Sequence, residues 1–269
     1  MKKMPTYIDI HVHANACTDE GFTLDSVVEW MDENRVERCI IQQLKQTLPR
    51  NAEEDATQVR NYRKHRGRIY GFCVSYAKDV ISLEQTARFL RREKQKGAIG
   101  FGEHYGEGLF VNDPKSMILY EACAEVGLPV LFHMDGENNR DEPGLPLLEE
   151  VLKAVPDCTF IAHAPGWWTQ LPSGTCERLL QNYPNLYGDL SAGSGARAIS
   201  RDKDLGREFL IRNADKLLFG TDSGPWSYGK APAPQFALFE ELALPADVKR
   251  KICRKNAERL FAFGVDCDE

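Results

Sequence analysis

Residues 98–134 read AIGFGEHYGEGLFVNDPKSMILYEACAEVGLPVLFHM. An apolar run, AIGFGEH (98–104), leads into a stretch of helical spacing at 115–127. A second apolar run, PVLFHM (129–134), follows the join Gly127-Leu128-Pro129. Both runs have strand length and are apolar on both faces, as parallel strands covered by helices should be. Working outward, the same alternation recurs. Further runs are YIDIHVH (7–13), RCIIQQL (38–44), RIYGFCVS (68–75), TFIAHA (159–164), NLYGDLS (185–191) and KLLFGTDS (216–223). Predicted helices lie between and after them at 24–34, 52–65, 82–96, 145–154, 173–182, 201–213, 235–243 and 246–262. Gly67, Gly97, Pro156 and Pro184 punctuate the joins. Eight strand–helix repeats predict a (β/α)₈ TIM barrel of the α/β class, one domain over residues 1–269. A doubly wound open sheet also holds eight such units. No GxGxxG follows the first run, which counts against dinucleotide binding.

The 269 residues are 42% hydrophobic and 28% charged, with a net charge of −6. That balance suits a globular enzyme-sized fold and gives no electrostatic reason to expect nucleic acid as a partner. No apolar stretch reaches the ~20 residues of a membrane span. The start, MKKMPTYIDI, lacks the apolar segment of a signal peptide. The closing DCDE reads as a frayed tail. The eight cysteines are scattered with no CxxC pair, and several sit in apolar runs. Reduced thiols and a cytoplasmic location are expected.

Chemistry is signalled by where the six histidines fall. His11 and His13 are two apart on the first run, so strand alternation turns both imidazoles the same way. His133 ends the fifth run and His163 the sixth. Glu103 ends the fourth, in GFGEH, and Asp222 the eighth, in FGTDS. Barrel active sites form at the C-terminal ends of the strands. Six metal-competent groups at one rim therefore predict a divalent-cation site, because buried polar groups at strand ends need a partner.

These residues resemble the amidohydrolase superfamily, in its amidohydrolase-related branch. IDIHVH, GLPVLFHMD, FIAHA, LFGTDS and the closing NAERLF carry the likeness, from residue 8 to residue 261. The resemblance implies that His11, His13, His133 and His163 bind metal, and that Asp222 ligates metal and moves protons. Many binuclear relatives carry a carboxylated lysine on the fourth strand. Here Glu103 takes that place, as in TatD-like deoxyribonucleases, and it is expected to ligate one ion, bridge two, or orient a ligand histidine. Zn²⁺ is the default for so nitrogen-rich a set, as one ion or two. The implied reaction is attack by a zinc-activated water on an amide, ester or lactone-type carbonyl of a small molecule. Asp222 and His163 are the catalytic candidates. The alternatives are non-oxidative decarboxylation, TatD-like phosphodiester cleavage and a non-catalytic binding protein on a degenerate barrel. Substrate identity stays open, as does oligomeric state, a homo-oligomer included.

Secondary candidates lie nearby. Asp9 shares the parity of His11 and His13 and is expected to be structural or to orient a ligand. His104 should face away from the metal, although the loop could turn it inward toward substrate. His65 is expected in solvent. Trp167 and Trp168 either wall a pocket for an apolar or aromatic substrate, or cap the barrel or pack in an oligomer interface. In the seventh loop Gly193 and Gly195 allow close approach of a ligand, and Arg197 is a surface cation or a partner for an acidic substrate. Asp135 is expected to cap its loop.

Overall fold

The computed structural model describes residues 7–227, 230, 232–261 and 263. The DCDE tail, the first six residues and the last residue of the predicted closing helix lie outside them. Eight parallel strands follow chain order around the sheet: β1 (Tyr7–Val12), β2 (Val36–Ile41), β3 (Ile69–Cys73), β4 (Ala98–His104), β5 (Val130–His133), β6 (Phe160–His163), β7 (Leu186–Asp189) and β8 (Leu217–Leu218). Backbone bonds from Ile10 N to the Phe219 carbonyl (3.1 Å) and His13 N to the Ser223 carbonyl (2.7 Å) join β1 to the segment after β8. The protein is a (β/α)₈ TIM barrel.

Helices α1 (Leu24–Asn34), α2 (Ala52–Lys64), α3 (Leu83–Lys96), α4 (Pro114–Val126) and α5 (Pro146–Ala154) start where local chemistry permits. Thr23, Asn51, Ser82 and Asp113 each accept a first-turn amide, and Pro114 opens α4 with a fixed φ and no donor to waste. Apolar faces of the helices and outward side chains of the strands form the larger core. A second cluster, Ile8, Ile10, Ile40, Phe72, Leu131, Ile161 and Leu218, draws on six strands and meets Ala257 and Phe261 near the chain's end. It fills the barrel beneath the strand ends, which leaves the rim for polar groups.

Several boundaries move. β2 begins at Val36, two residues before the expected run, and β8 is regular over only two residues. The segment after β7 is not a loop. After α6 (Pro165–Trp168) and α7 (Thr175–Asn182) come α8 (Ala192–Ser200) and α9 (Lys203–Arg212), where only the second was expected. The glycines of AGSGARAIS disguise α8. A Cβ on Gly195 would stand 2.4 Å from the Leu190 carbonyl, so glycine here serves close packing of helix on strand end rather than ligand approach. The chain closes with α10 (Pro234–Glu241) and a helical segment over 246–260 that includes a π turn at Lys251–Lys255.

Candidate metal centre

His11 and His13 stand at the end of β1, both buried. The register of β1 on β2 slips between Asp9 and Val12, so His11 reaches the rim although its neighbour Ile10 packs in the inner cluster. Gly102 precedes Glu103 at φ 151°, and a Cβ there would stand 2.7 Å from the Leu131 carbonyl. Only glycine lets the end of β4 press this close to β5. His133 and His163 end β5 and β6 and are paired in register. Asp222 sits beyond β8 in the left-handed region, φ 61°, with its amide donating to the His11 carbonyl at 2.8 Å. That costly backbone state holds its carboxylate against β1.

The six side chains converge. His11 Nε2 and His13 Nε2 lie 3.1 Å apart. Asp222 Oδ1 is 3.0 Å from His13 Nε2 and 3.7 Å from His11 Nε2. Glu103 lies between two groups of histidines. Its Oε2 is 3.5 Å from both His11 Nε2 and His13 Nε2, while its Oε1 is 2.7 Å from His133 Nδ1 and 3.4 Å from His163 Nε2. Two clusters of donor atoms thus share one carboxylate.

The opposite ring nitrogens decide where the protons are. His13 Nδ1 faces the Gln42 carbonyl at 2.9 Å, and a carbonyl only accepts. His11 Nδ1 faces Asp189 Oδ2 at 2.7 Å. Both Nδ1 atoms therefore carry hydrogen, and in neutral rings both Nε2 atoms present lone pairs to each other. Ser191 Oγ donates to Asp189 Oδ2 (2.7 Å) and accepts from His163 Nδ1 (2.8 Å), which bares His163 Nε2 as well. His133 Nε2 is held by Asp135 Oδ2 at 3.0 Å. With neutral rings, four ring nitrogens and two carboxylates turn acceptor atoms toward one another. Such an array could hold a cation. Asp189 also lies near His11 and His163, but on their outer nitrogens, where it takes protons.

The titration directions show that these groups favour positive charge between them. Burial alone would lower His11, yet Glu103 and Asp189 outweigh it and hold its pKa well above the usual value. Burial would raise Glu103, and His11 and His133 overcome it and hold the carboxylate well below its ordinary range. Burial, with His11 nearby, pushes His163 down to about 4, so that ring is neutral.

The remaining candidates sort by contact. Asp9 is fully buried, accepts the His11 and Thr221 amides and the Thr221 hydroxyl, and so ties β1 to the β8 end beneath the site. Asp135 accepts the amides of Glu137 and Asn138 as a loop cap, while its other oxygen orients His133. Trp167 and Trp168 are buried. Trp168 donates to the Asp189 carbonyl, so the pair packs and walls no open pocket. Arg197 is exposed on α8. His65 is mostly covered, against expectation, and pairs with Asp25 at 2.6 Å. His104 points outward into the core against Phe101 and Tyr120. Burial drives its pKa to about 4. The unfolded chain therefore binds a proton below pH ~6.5 that the folded chain refuses, and stability falls as pH drops from ~6.5 toward 4. Comparing His104→Phe with the parent by denaturant unfolding across that window should remove a loss of up to about 3 kcal/mol.

Sequence reasoning gave Asp189, Gln42, Tyr105 and Trp226 no part in the site. Tyr105 donates its phenol to Glu103 Oε2 at 3.2 Å and stacks on His133 at 4.7 Å. Trp226, about half exposed, lies over His13 at 5.1 Å and donates to the Asp222 carbonyl. Asp189 had the best signal, an acidic residue ending a strand as Asp222 does. Gln42 acts through its carbonyl, which no side-chain motif can flag.

No curated protein matches the sequence. Among solved structures, an uncharacterised TIM-barrel protein from Bordetella bronchiseptica superposes with a TM-score of 0.67 at 18% identity, covering 94% of this chain and 97% of that one. A probable 2-pyrone-4,6-dicarboxylic acid hydrolase from Acinetobacter baumannii, with citric acid bound, gives 0.61 at 14%, covering 95% and 98%. A 5-carboxyvanillate decarboxylase from Novosphingobium aromaticivorans, with bound manganese, gives 0.59 at 15%, covering 87% and 79%. At these identities the likeness is one of fold. The amidohydrolase family profile matches residues 8–263, nearly the whole chain. The chain belongs to the amidohydrolase family, whose members are divalent-metal-dependent enzymes.

Proposed function

We propose that the protein is a hydrolase of small-molecule amides, esters or lactones that works with two divalent ions. The observation that carries this reading is the convergence of bare acceptor atoms on the two oxygens of Glu103. His11, His13, Asp222 and Glu103 would hold one ion, and Glu103, His133 and His163 the other. Zinc suits four imidazoles best, with manganese the competitor. Bound there, divalent ions supply Lewis acidity, which makes water a nucleophile near neutral pH and polarises a carbonyl oxygen.

The chain's residues divide the remaining work. Asp222 has a side chain about a quarter exposed, whereas that of Glu103 is buried. Asp222 accepts the proton of the attacking water and returns it to the leaving group. His163 is buried behind Glu103, a place for a ligand rather than an oxyanion contact. The Tyr105 phenol, at Glu103 and on the cavity wall, can donate to a substrate oxygen. Asp189, Ser191, Asp135 and the Gln42 carbonyl fix the tautomers of the four rings. Asp189→Asn should weaken metal binding by about 10–100-fold, read by titration against a competing chelator. Among the described residues no helix is long and apolar enough to cross a membrane, and their seven cysteines are free and buried, which fits the reducing cytoplasm we assign.

The decarboxylase reading keeps one support, the fold shared with a manganese-bound decarboxylase. The metal-reconstituted protein separates the two when screened in ¹⁸O-water. Hydrolysis places the label in the product acid, whereas decarboxylation evolves CO₂ and leaves the organic product unlabelled.

A further inference from the structure

A cavity of about 310 Å³ runs from Glu103 and Tyr105 outward to Gln43, Lys45, Tyr76 and Glu107. It lies over the ends of β2, β3 and β4, to one side of the proposed ion sites. Its outer end carries an unusual charge arrangement. Lys45 Nζ lies 3.5 Å from Glu107 Oε1 and Lys78 Nζ 3.1 Å from Glu107 Oε2, so two ammonium groups share one carboxylate. Both stand over the ring of Tyr76, at 4.6 and 5.3 Å. Lys115 adds a third ammonium on the Lys78 carbonyl, and Asp79 a second carboxylate beside Lys78. Lysines thus gather at this rim on a molecule whose net charge is −6. Of the two wall carboxylates, Glu107 is spoken for by the lysines and Glu103 by the centre.

We propose that this rim selects substrates bearing a carboxylate or similar anion remote from the reacting carbonyl, with Lys45 as the group that receives it. The proposal rests on the reading of the centre given above. Lys45 is the rim cation on the cavity wall, and its 3.5 Å contact with Glu107 is long enough to be exchanged for a ligand oxygen. Lys78, closer to Glu107 and outside the wall, neutralises that carboxylate when Lys45 turns away. The volume suits a compact molecule able to reach from the centre to the rim.

The test uses the zinc-loaded protein and calorimetric binding of succinate, glutarate and adipate, each against its monoamide. One carboxylate is common to both members of a pair, so the ratio isolates the remote charge. For at least one length the diacid should bind about five- to tenfold tighter than the monoamide. Lys45→Met should bring that ratio close to one with zinc content unchanged. Glu107→Gln, which removes the competing anion, should raise it. A parent ratio near one at every length, or a ratio that survives Lys45→Met, overturns the proposal while the centre stands. Absence of zinc from the parent protein overturns the centre and this proposal with it.

Discussion

Glu103→Gln should leave a folded barrel that no longer holds two ions. Glu103 is 2% exposed, and its two oxygens face two different pairs of imidazoles. A glutamine keeps the shape but presents an NH₂ to one pair and loses the charge for both. Removing one partner from a buried charged cluster costs about 3–5 kcal/mol, or roughly two to four powers of ten in affinity. Metal titration should show one weak equivalent or none, with circular dichroism unchanged because the core beneath the rim is untouched. Two tight equivalents in the variant would remove Glu103 from the centre.

Asp222→Asn should separate binding from catalysis. His11, His13 and Glu103 remain for one ion, and the second cluster is intact, so ions are retained with modestly lower affinity. The proton acceptor is gone. Burial would raise the Asp222 carboxyl, but the imidazoles of His13 and His11 beside it hold it below its ordinary value, so it is ionised at neutral pH and ready to accept. Loss of general-base action should lower kcat by about 10²–10⁴-fold. Because the lost group acts in the transition state, KM should change far less than kcat. Unimpaired turnover in Asp222→Asn would leave the proton path without its proposed carrier.

The barrel was legible because its signal repeats. Eight apolar runs separated by helical spacing leave few other folds, and both ends of the quoted segment fall within a residue of the strands observed. The site was legible to the extent that ligand chemistry sits in side chains at strand ends, as with His133 and Glu103. What sequence alone could not show falls into two kinds. The Gln42 carbonyl and the Asp189 carboxylate matter through what lies across space from them, and no spacing rule places β7 beside His11. The glycines of α8 mislead because the same residue serves close packing and loop freedom, and only the Leu190 carbonyl distinguishes the two. Trp167 and Trp168 pose a similar ambiguity, since a large ring suits a pocket wall and a core equally, and only burial decides.

The central claim is that the inward-facing acceptors of the rim gather divalent ions around Glu103. Anomalous diffraction from crystals grown with zinc, recorded on both sides of its absorption edge, tests it most directly. The account predicts two peaks, one among His11, His13, Asp222 and Glu103 and one among Glu103, His133 and His163. A rim without anomalous density, or zinc held only on the outer nitrogens beside Asp189, would contradict it.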